Sequence, residues 1–162
     1  MELPVKLKTG DEMYAYSCEN GFGTGLSKGW GKNNFRLLEQ RLEPDETAFL
    51  TFVGLHRFHS MSSHQRNFAY AVTDRRIMMG QVRSFGRIRF ESFPLNSILN
   101  MSLNSDANAI GVLTLMFTNG SLMIGMGPDV AEALGRKLQE VLPLIQELAR
   151  DMAEKEIEKN EN

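Results

Sequence analysis

The sequence predicts a mainly antiparallel β protein with helices at both ends of the chain. Three observations predict it. Between Asn67 and Ser92 the residues alternate with a period of two, broken at Thr73-Asp74-Arg75 and again at Ser84-Phe85-Gly86. Alternation places successive side chains on opposite faces of a strand, so three strands with short links form a meander. Second, Gly111–Thr118 and Ser121–Met126 flank Asn119-Gly120, the preferred pair for a type I′ hairpin turn. Third, Val130, Leu134, Leu138, Val141 and Leu142 fall on one face of a helix opened by Pro128-Asp129.

The remaining elements follow in chain order. Residues 1–10 form a polar lead containing Pro4, and Thr9 is placed to cap a short helix through Asp11, Glu12 and Met13, ending near Gly21. Gly21–Gly31 holds five glycines in eleven residues and reads as a loop. Asn33-Asn34 opens a second helix to about Leu42, with Phe35, Leu38 and Leu42 at helical spacing. Pro44 stops it, because proline disfavours the α region at the residue before it. Thr47–Phe58 is the first strand, apolar on both faces, and His59–Arg66 is a polar loop. Phe93-Pro94 ends the meander, Ser97–Leu103 is a further short strand, and Asn104–Ala109 is a loop. Pro143 is expected to interrupt the long helix. Ile145, Leu148 and Met152 continue its stripe, and the charged tail frays beyond about Lys155.

At 162 residues and 42% hydrophobic, the chain is long enough to bury a core without staples. A formal charge of −2 and a pI near 5.9 give no basic excess for nucleic acid. The single cysteine, Cys18, cannot form an internal disulfide and fits a reducing, cytoplasmic setting. The start MELPVKLKTG lacks the apolar region of a secretory signal, and no apolar run approaches the ~20 residues needed to cross a bilayer.

The glycine loop fails the Walker pattern, since Ser27 precedes Lys28, and it fails G-x-G-x-x-G at both possible starts. His56, His59 and His64 are all the histidines; their spacing matches no zinc pattern, and they read as polar loop residues that could form a pH-sensitive patch. Ser60, Ser62 and Ser63 beside His64 lack a nucleophile elbow. No catalytic residue, metal ligand or cofactor is therefore assigned. Arg75, Arg76, Arg83, Arg87 and Arg89 against Glu91 give the meander a basic bias, and Arg87 and Arg89 face solvent if Ile88 and Phe90 face the core. Guanidinium groups suit phosphate, which makes Arg83, Arg87 and Arg89 the candidate ligand-binding residues. The competing reading is a solvated strand face that also blunts an edge. Six of the ten methionines, Met78, Met79, Met101, Met116, Met123 and Met126, fall on these strands as core filler or partner-facing residues.

The element order and particular words resemble the bacterial pleckstrin-homology (PH-like) domains, in their YokE-like branch. The words are LEPDETAFLTFVGLH (Leu42–His56), NFAYAVTDRRIMMGQ (Asn67–Gln81), Phe93-Pro94-Leu95 with Ile98, and Gly111-Val112-Leu113. Thr73–Ile77 is the most specific of them, and the segments Cys18–Gly23 and Ser27–Gly31 resemble what precedes the domain in that branch. The resemblance implies a partly open barrel of about seven antiparallel strands in two near-orthogonal sheets, capped by a C-terminal helix. It implies no catalytic residues. The chain divides accordingly into a helical segment with its glycine loop (1–43), a PH-like domain (44–142) and a helical extension with a charged tail (143–162). The expected function is non-enzymatic protein–protein association, self-association included, with Ile145, Leu148 and Met152 as interface candidates. The alternative is binding of an anionic ligand or membrane headgroup through the arginine face.

Overall fold

The structure, a computed structural model, describes residues 5–23, 26–105 and 109–161. Thr9 caps α1 (Gly10–Glu19) with a capping box: its hydroxyl accepts from Glu12 N–H, and the Glu12 carboxylate accepts from Thr9 N–H. The second helix, α2 (Lys28–Arg41), begins five residues before the expected Asn33. Ser27 supplies the cap, accepting from Trp30 N–H at 3.1 Å, so the last part of the glycine stretch is helical. Gly31 is needed there, since a Cβ at that position would lie 2.2 Å from the Tyr14 ring of α1. Two residues of the expected loop, 24 and 25, lie outside the described residues, as do 106–108 of the Asn104–Ala109 loop.

Seven antiparallel strands follow: β1 (Ala48–His56), β2 (Asn67–Thr73), β3 (Arg76–Val82), β4 (Ile88–Pro94), β5 (Ile98–Ser105), β6 (Gly111–Phe117) and β7 (Gly120–Met126). Their spatial order is β4-β3-β2-β1-β7-β6-β5. Only Leu55 and His56 of β1 pair with β7, so the four-stranded and three-stranded parts meet at a corner. Gly54 sits at that corner, where a Cβ would come within 2.5 Å of the Ile124 side chain. On the opposite side Phe93 stacks on Phe117 at 4.3 Å, so side chains bring the two parts together there.

Both faces of β1 are buried, which accounts for its apolar residues on each side. One face, through Phe52, joins the barrel interior with Tyr70, Leu113, Leu115 and Leu138. The other meets the N-terminal helices: Thr51 donates to the Met13 carbonyl and bonds Ser17, both of α1. Leu37 and Leu38 of α2 press on Gly80 of β3. The β6–β7 hairpin forms as expected, but its turn residues are Thr118 and Asn119, with Gly120 paired to Phe117 at φ 152°. Asn119 keeps a negative φ, so the turn is not type I′.

The C-terminal helix, α3 (Pro128–Glu161), runs unbroken through Pro143 and past Lys155, contrary to the expected interruption and fraying. Pro143 lies on the exposed side, where the carbonyl it orphans is open to water, while Leu138, Val141, Leu142 and Ile145 anchor the buried side across it. Leu134, Leu138 and Val141 pack into the barrel as the helical stripe requires.

Candidate functional site

The β1–β2 and β3–β4 connections leave the four-stranded part at the same end. The Ala69↔Gly80 register brings Asn67 of β2 beside Val82 of β3 there. Gln81 ties them together. Its Nε2 donates to the carbonyls of Gln65 (3.2 Å) and Asn67 (3.0 Å), and its Oε1 accepts from Arg83 Nε at 2.6 Å. From below, Asn34 of α2 accepts Val82 N–H at 2.7 Å. Two projecting loops are thereby held side by side on a rigid base.

The β3–β4 connection is a single turn, closed by Arg83 N–H to the Arg87 carbonyl at 2.7 Å. At its apex Phe85 takes φ 61°, a left-handed conformation rarely adopted by a bulky residue, and its side chain is fully exposed. Ile88 beside it is half exposed. The expected arginines lie around this apex. Arg89 pairs with Gln81, and by strand alternation shares a face with Glu91. Phe90, on the opposite face, lies beneath the Arg41 guanidinium of α2. Arg87 and Arg89 are exposed, as the alternation required, but Ile88 is exposed too and does not face the core. From Arg75 to Phe90 the chain carries five arginines and no acid.

The β1–β2 loop forms the second projection. It is bounded by two further left-handed residues, Arg57 (φ 50°) and Arg66 (φ 66°), and carries Met61, half exposed. His64 stacks on Phe58 and accepts Arg66 N–H on Nδ1. That nitrogen is therefore not free to serve as a base for Ser60, Ser62 or Ser63. His59 is exposed.

His56 is not a loop residue. It ends β1, is fully buried, and stacks on Phe68 at 4.0 Å. Its Nε2 lies 2.5 Å from Glu91, and its Nδ1 lies 2.9 Å from the Tyr70 hydroxyl. Glu91 also accepts from Arg57 at 2.5 Å. With Glu91 ionised, the Nε2 proton goes to Glu91 and Nδ1 accepts from Tyr70, so a neutral imidazole satisfies both neighbours. Burial pushes the His56 pKa down and outweighs the upward pull of Glu91. Burial pushes Glu91 up, but the bonds from Arg57 and His56 hold it below the usual carboxylate range. The alternation of β1 puts His56 in step with Leu50 and Phe52, the signal by which it was legible as an inward residue.

At the opposite end of the four strands, the Thr73–Ile77 word builds a second polar cluster. Glu46 is fully buried and accepts from Thr73 Oγ1 (2.7 Å), Arg76 Nε and Nη2 (3.0 Å each) and Glu43 N–H (3.0 Å). Thr73 in turn accepts the N–H groups of Arg75 and Arg76. These contacts join α2's end, β1, β2 and β3, so this cluster is structural.

The interface candidates separate. Ile145 is 1% exposed within its own chain, so its burial calls for no second subunit; Leu148 packs partly against the same core. Met152 lies half-exposed along a groove of about 1390 Å³ between α3 and the Asp45, Arg75 and Pro94 corner. Among the described residues no group of three or more His, Cys, Asp or Glu is placed to hold a metal ion, and no helix is long and apolar enough to cross a membrane.

A family model described as Bacterial PH domain matches residues 42–127. The chain belongs to the bacterial PH domain family. The seven strands and the capping helix fit the PH-like fold, whose family is one of interaction modules. Among solved structures, this PH domain is similar to the Vps36 N-terminal PH domain (16% identity, TM-score 0.49, covering 64% of this chain and 84% of that one). It is also similar to the hSac2 domain of the human phosphoinositide phosphatase Sac2 (10% identity, TM-score 0.45, covering 79% and 86%). No curated protein matches the chain.

Proposed function

We propose that this PH domain docks on an anionic membrane surface, in the cytoplasm, with the β3–β4 apex and the β1–β2 loop facing the lipid. The observation that carries the reading is Phe85: fully exposed, in a left-handed conformation, and flanked by Arg83, Arg87 and Arg89. Such backbone costs of order 1–3 kcal/mol, and an exposed phenylalanine forgoes about 1.5–3 kcal/mol of burial. An anionic bilayer interface supplies the missing burial, an apolar boundary for Phe85, Ile88 and Met61, and adds anionic headgroups for the arginines. Each arginine near such a surface contributes about 1 kcal/mol. The groups that could oppose this attraction are absent from residues 75–90, and Glu91 below them is already held by His56 and Arg57.

The test is sedimentation with vesicles of phosphatidylcholine alone and of phosphatidylcholine mixed with phosphatidylserine or with a phosphoinositide. Binding to the anionic vesicles, weakened by salt and lost on Phe85→Asp, supports the reading. Competition by soluble inositol phosphates would identify a headgroup pocket; insensitivity to them would identify the surface as a whole. No sedimentation with anionic vesicles at low salt refutes it.

A second reading, self-association, is supported by the open edge of β5, which no other described strand covers. The words at Cys18–Gly23 and Ser27–Gly31 support placing the chain in the YokE-like branch.

A further inference from the structure

The two projecting loops share a plan. In the β3–β4 turn, Arg83 N–H closes on the Arg87 carbonyl, Phe85 stands exposed at the apex, and an arginine flanks it on each side. In the β1–β2 loop, Ser60 N–H donates to the Ser63 carbonyl at 3.2 Å and Ser63 N–H returns the bond at 3.0 Å. His59 N–H adds a bond to the same Ser63 carbonyl at 2.9 Å. Met61 stands at that apex, 49% exposed, and a histidine flanks it on each side, His59 and His64. The first projection carries permanent cations. The second carries groups of the kind that become cations between about pH 8 and 5.

The base of the loop is fixed. His56 N–H donates to the Arg66 carbonyl at 2.9 Å and Gln65 N–H to the His56 carbonyl at 2.8 Å, which clamps the two ends together. The His56 ring is not placed to respond. It is enclosed by Tyr70, Glu91, Arg57, Arg89 and Phe68, and a proton on Nδ1 would leave the buried Tyr70 hydroxyl without its acceptor. His59, by contrast, is exposed. His64 lies half-buried on Phe58, and the bond its protonation breaks, from Arg66 N–H to Nδ1, is at an exposed site where water replaces it.

The charges around the loop favour the same response. No acid occurs between Glu46 and Asp74 in the chain. Of the strands beside the loop, β7, against which Phe58 packs, is uncharged from Gly120 to Met126. The third strand presents Arg83 through Gln81, and β4 presents Arg89 with Glu91, whose carboxylate is held by His56 and Arg57. Cations gained at His59 and His64 therefore meet no free acid here and add to the field of the neighbouring arginines.

We propose that the β1–β2 loop is an acid-responsive docking finger: protonated at His59 and His64, it engages the same anionic bilayer surface as the Phe85 turn and seats Met61 at its boundary. This rests on the membrane reading above and adds its regulation by pH.

The probe is a vesicle of phosphatidylcholine and phosphatidylglycerol, whose phosphate stays ionised throughout. Sedimentation of the full-length protein is measured at constant ionic strength at about pH 7.5 and 5.5, the span in which histidine changes charge. Wild-type affinity should rise on acidification by up to about 30-fold, from roughly fivefold for each cation near such a surface. In His59→Gln with His64→Gln the ratio of the two affinities should fall to near one. His59→Arg with His64→Arg should bind at pH 7.5 as tightly as wild type does at pH 5.5, which a merely structural role for these rings would not produce. Circular dichroism at both pH values confirms that each variant is folded. Equal wild-type affinity at the two pH values, or a rise that persists in the glutamine variant, overturns this inference alone. No sedimentation of wild type at either pH overturns the membrane reading with it.

Discussion

Arg76→Ala should destabilise the fold by about 3 kcal/mol at neutral pH. Glu46 is inaccessible to water and its carboxylate is held by four donors, two of them from the Arg76 guanidinium. Arg76 also donates to the Arg41 carbonyl at 2.7 Å, fastening the end of α2. Removing one partner of a buried ion pair typically costs 3–5 kcal/mol, because the other charge stays buried without compensation. The Arg76 side chain is 23% exposed, and water entering the vacated space relieves part of the loss, so the lower end applies. For a domain of this size that lowers the unfolding midpoint by roughly 6–12 °C. The pH dependence adds a signature. Burial pushes the Glu46 pKa up, but Arg76, Glu43 N–H and Thr73 together bring it below its usual value. A depressed carboxylate contributes stability above its unfolded pKa, about 4.3, and loses it as pH falls through the folded value. Without Arg76, burial dominates, the shift reverses, and protonation becomes a relief. The deficit of Arg76→Ala against wild type should therefore be smaller at pH 4 than at pH 7. Urea unfolding followed by circular dichroism measures both. A loss under 1 kcal/mol at pH 7, or a deficit that grows towards pH 4, would refute the argument.

Three further outcomes are expected. Leu138→Ala, at a position 4% exposed among barrel residues, should cost ~2–5 kcal/mol by urea unfolding, the range for large-to-small core changes. Arg87→Ala with Arg89→Ala should weaken binding to anionic vesicles about 30-fold, from roughly 1 kcal/mol per arginine, and leave stability within ~0.5 kcal/mol; unchanged sedimentation would remove the arginines from the docking surface. His56 is faced by Tyr70, Glu91, Arg57, Arg89 and the Phe68 ring, and its depressed pKa means that the unfolded chain binds its proton first. Stability should therefore fall as pH drops below about 6.5, the unfolded value, and a His56→Gln variant should show a flatter profile just below that pH in thermal melts.

Much of the fold was legible because its causes are local. Alternation in Asn67–Val72 and Gly111–Phe117, the Thr9 cap with Glu12 three residues on, and the stripe from Val130 to Ile145 each depend on residues a few positions apart. The arginine face of the candidate site was legible for the same reason. Where local signals conflicted, contacts distant in sequence decided. Gly29 and Gly31 argue against a helix, yet α2 forms there, capped by Ser27 and packed on α1 with the Tyr14 ring in the space a side chain at Gly31 would take. Pro143 argues for a break, yet α3 continues because Leu142 and Ile145 are buried on either side of it. The exposed leucine of β5 follows from a register step opposite Met116, which no pattern within β5 reveals. Glu46 reads as a turn residue after Pro44-Asp45; only the approach of Thr73 and Arg76, 27 and 30 positions away, makes a buried carboxylate tolerable. His56 likewise became a buried link between β1, β2 and β4 because the sheet brings Glu91, 35 residues on, to its Nε2. Sequence alone determined the kind and order of the strands and helices, since periodicity and caps settle these, but not where α2 begins or that α3 continues through Pro143. Only the tertiary structure decided which polar groups are buried and which loops share an end, because those depend on desolvation and on partners that chain order does not bring together.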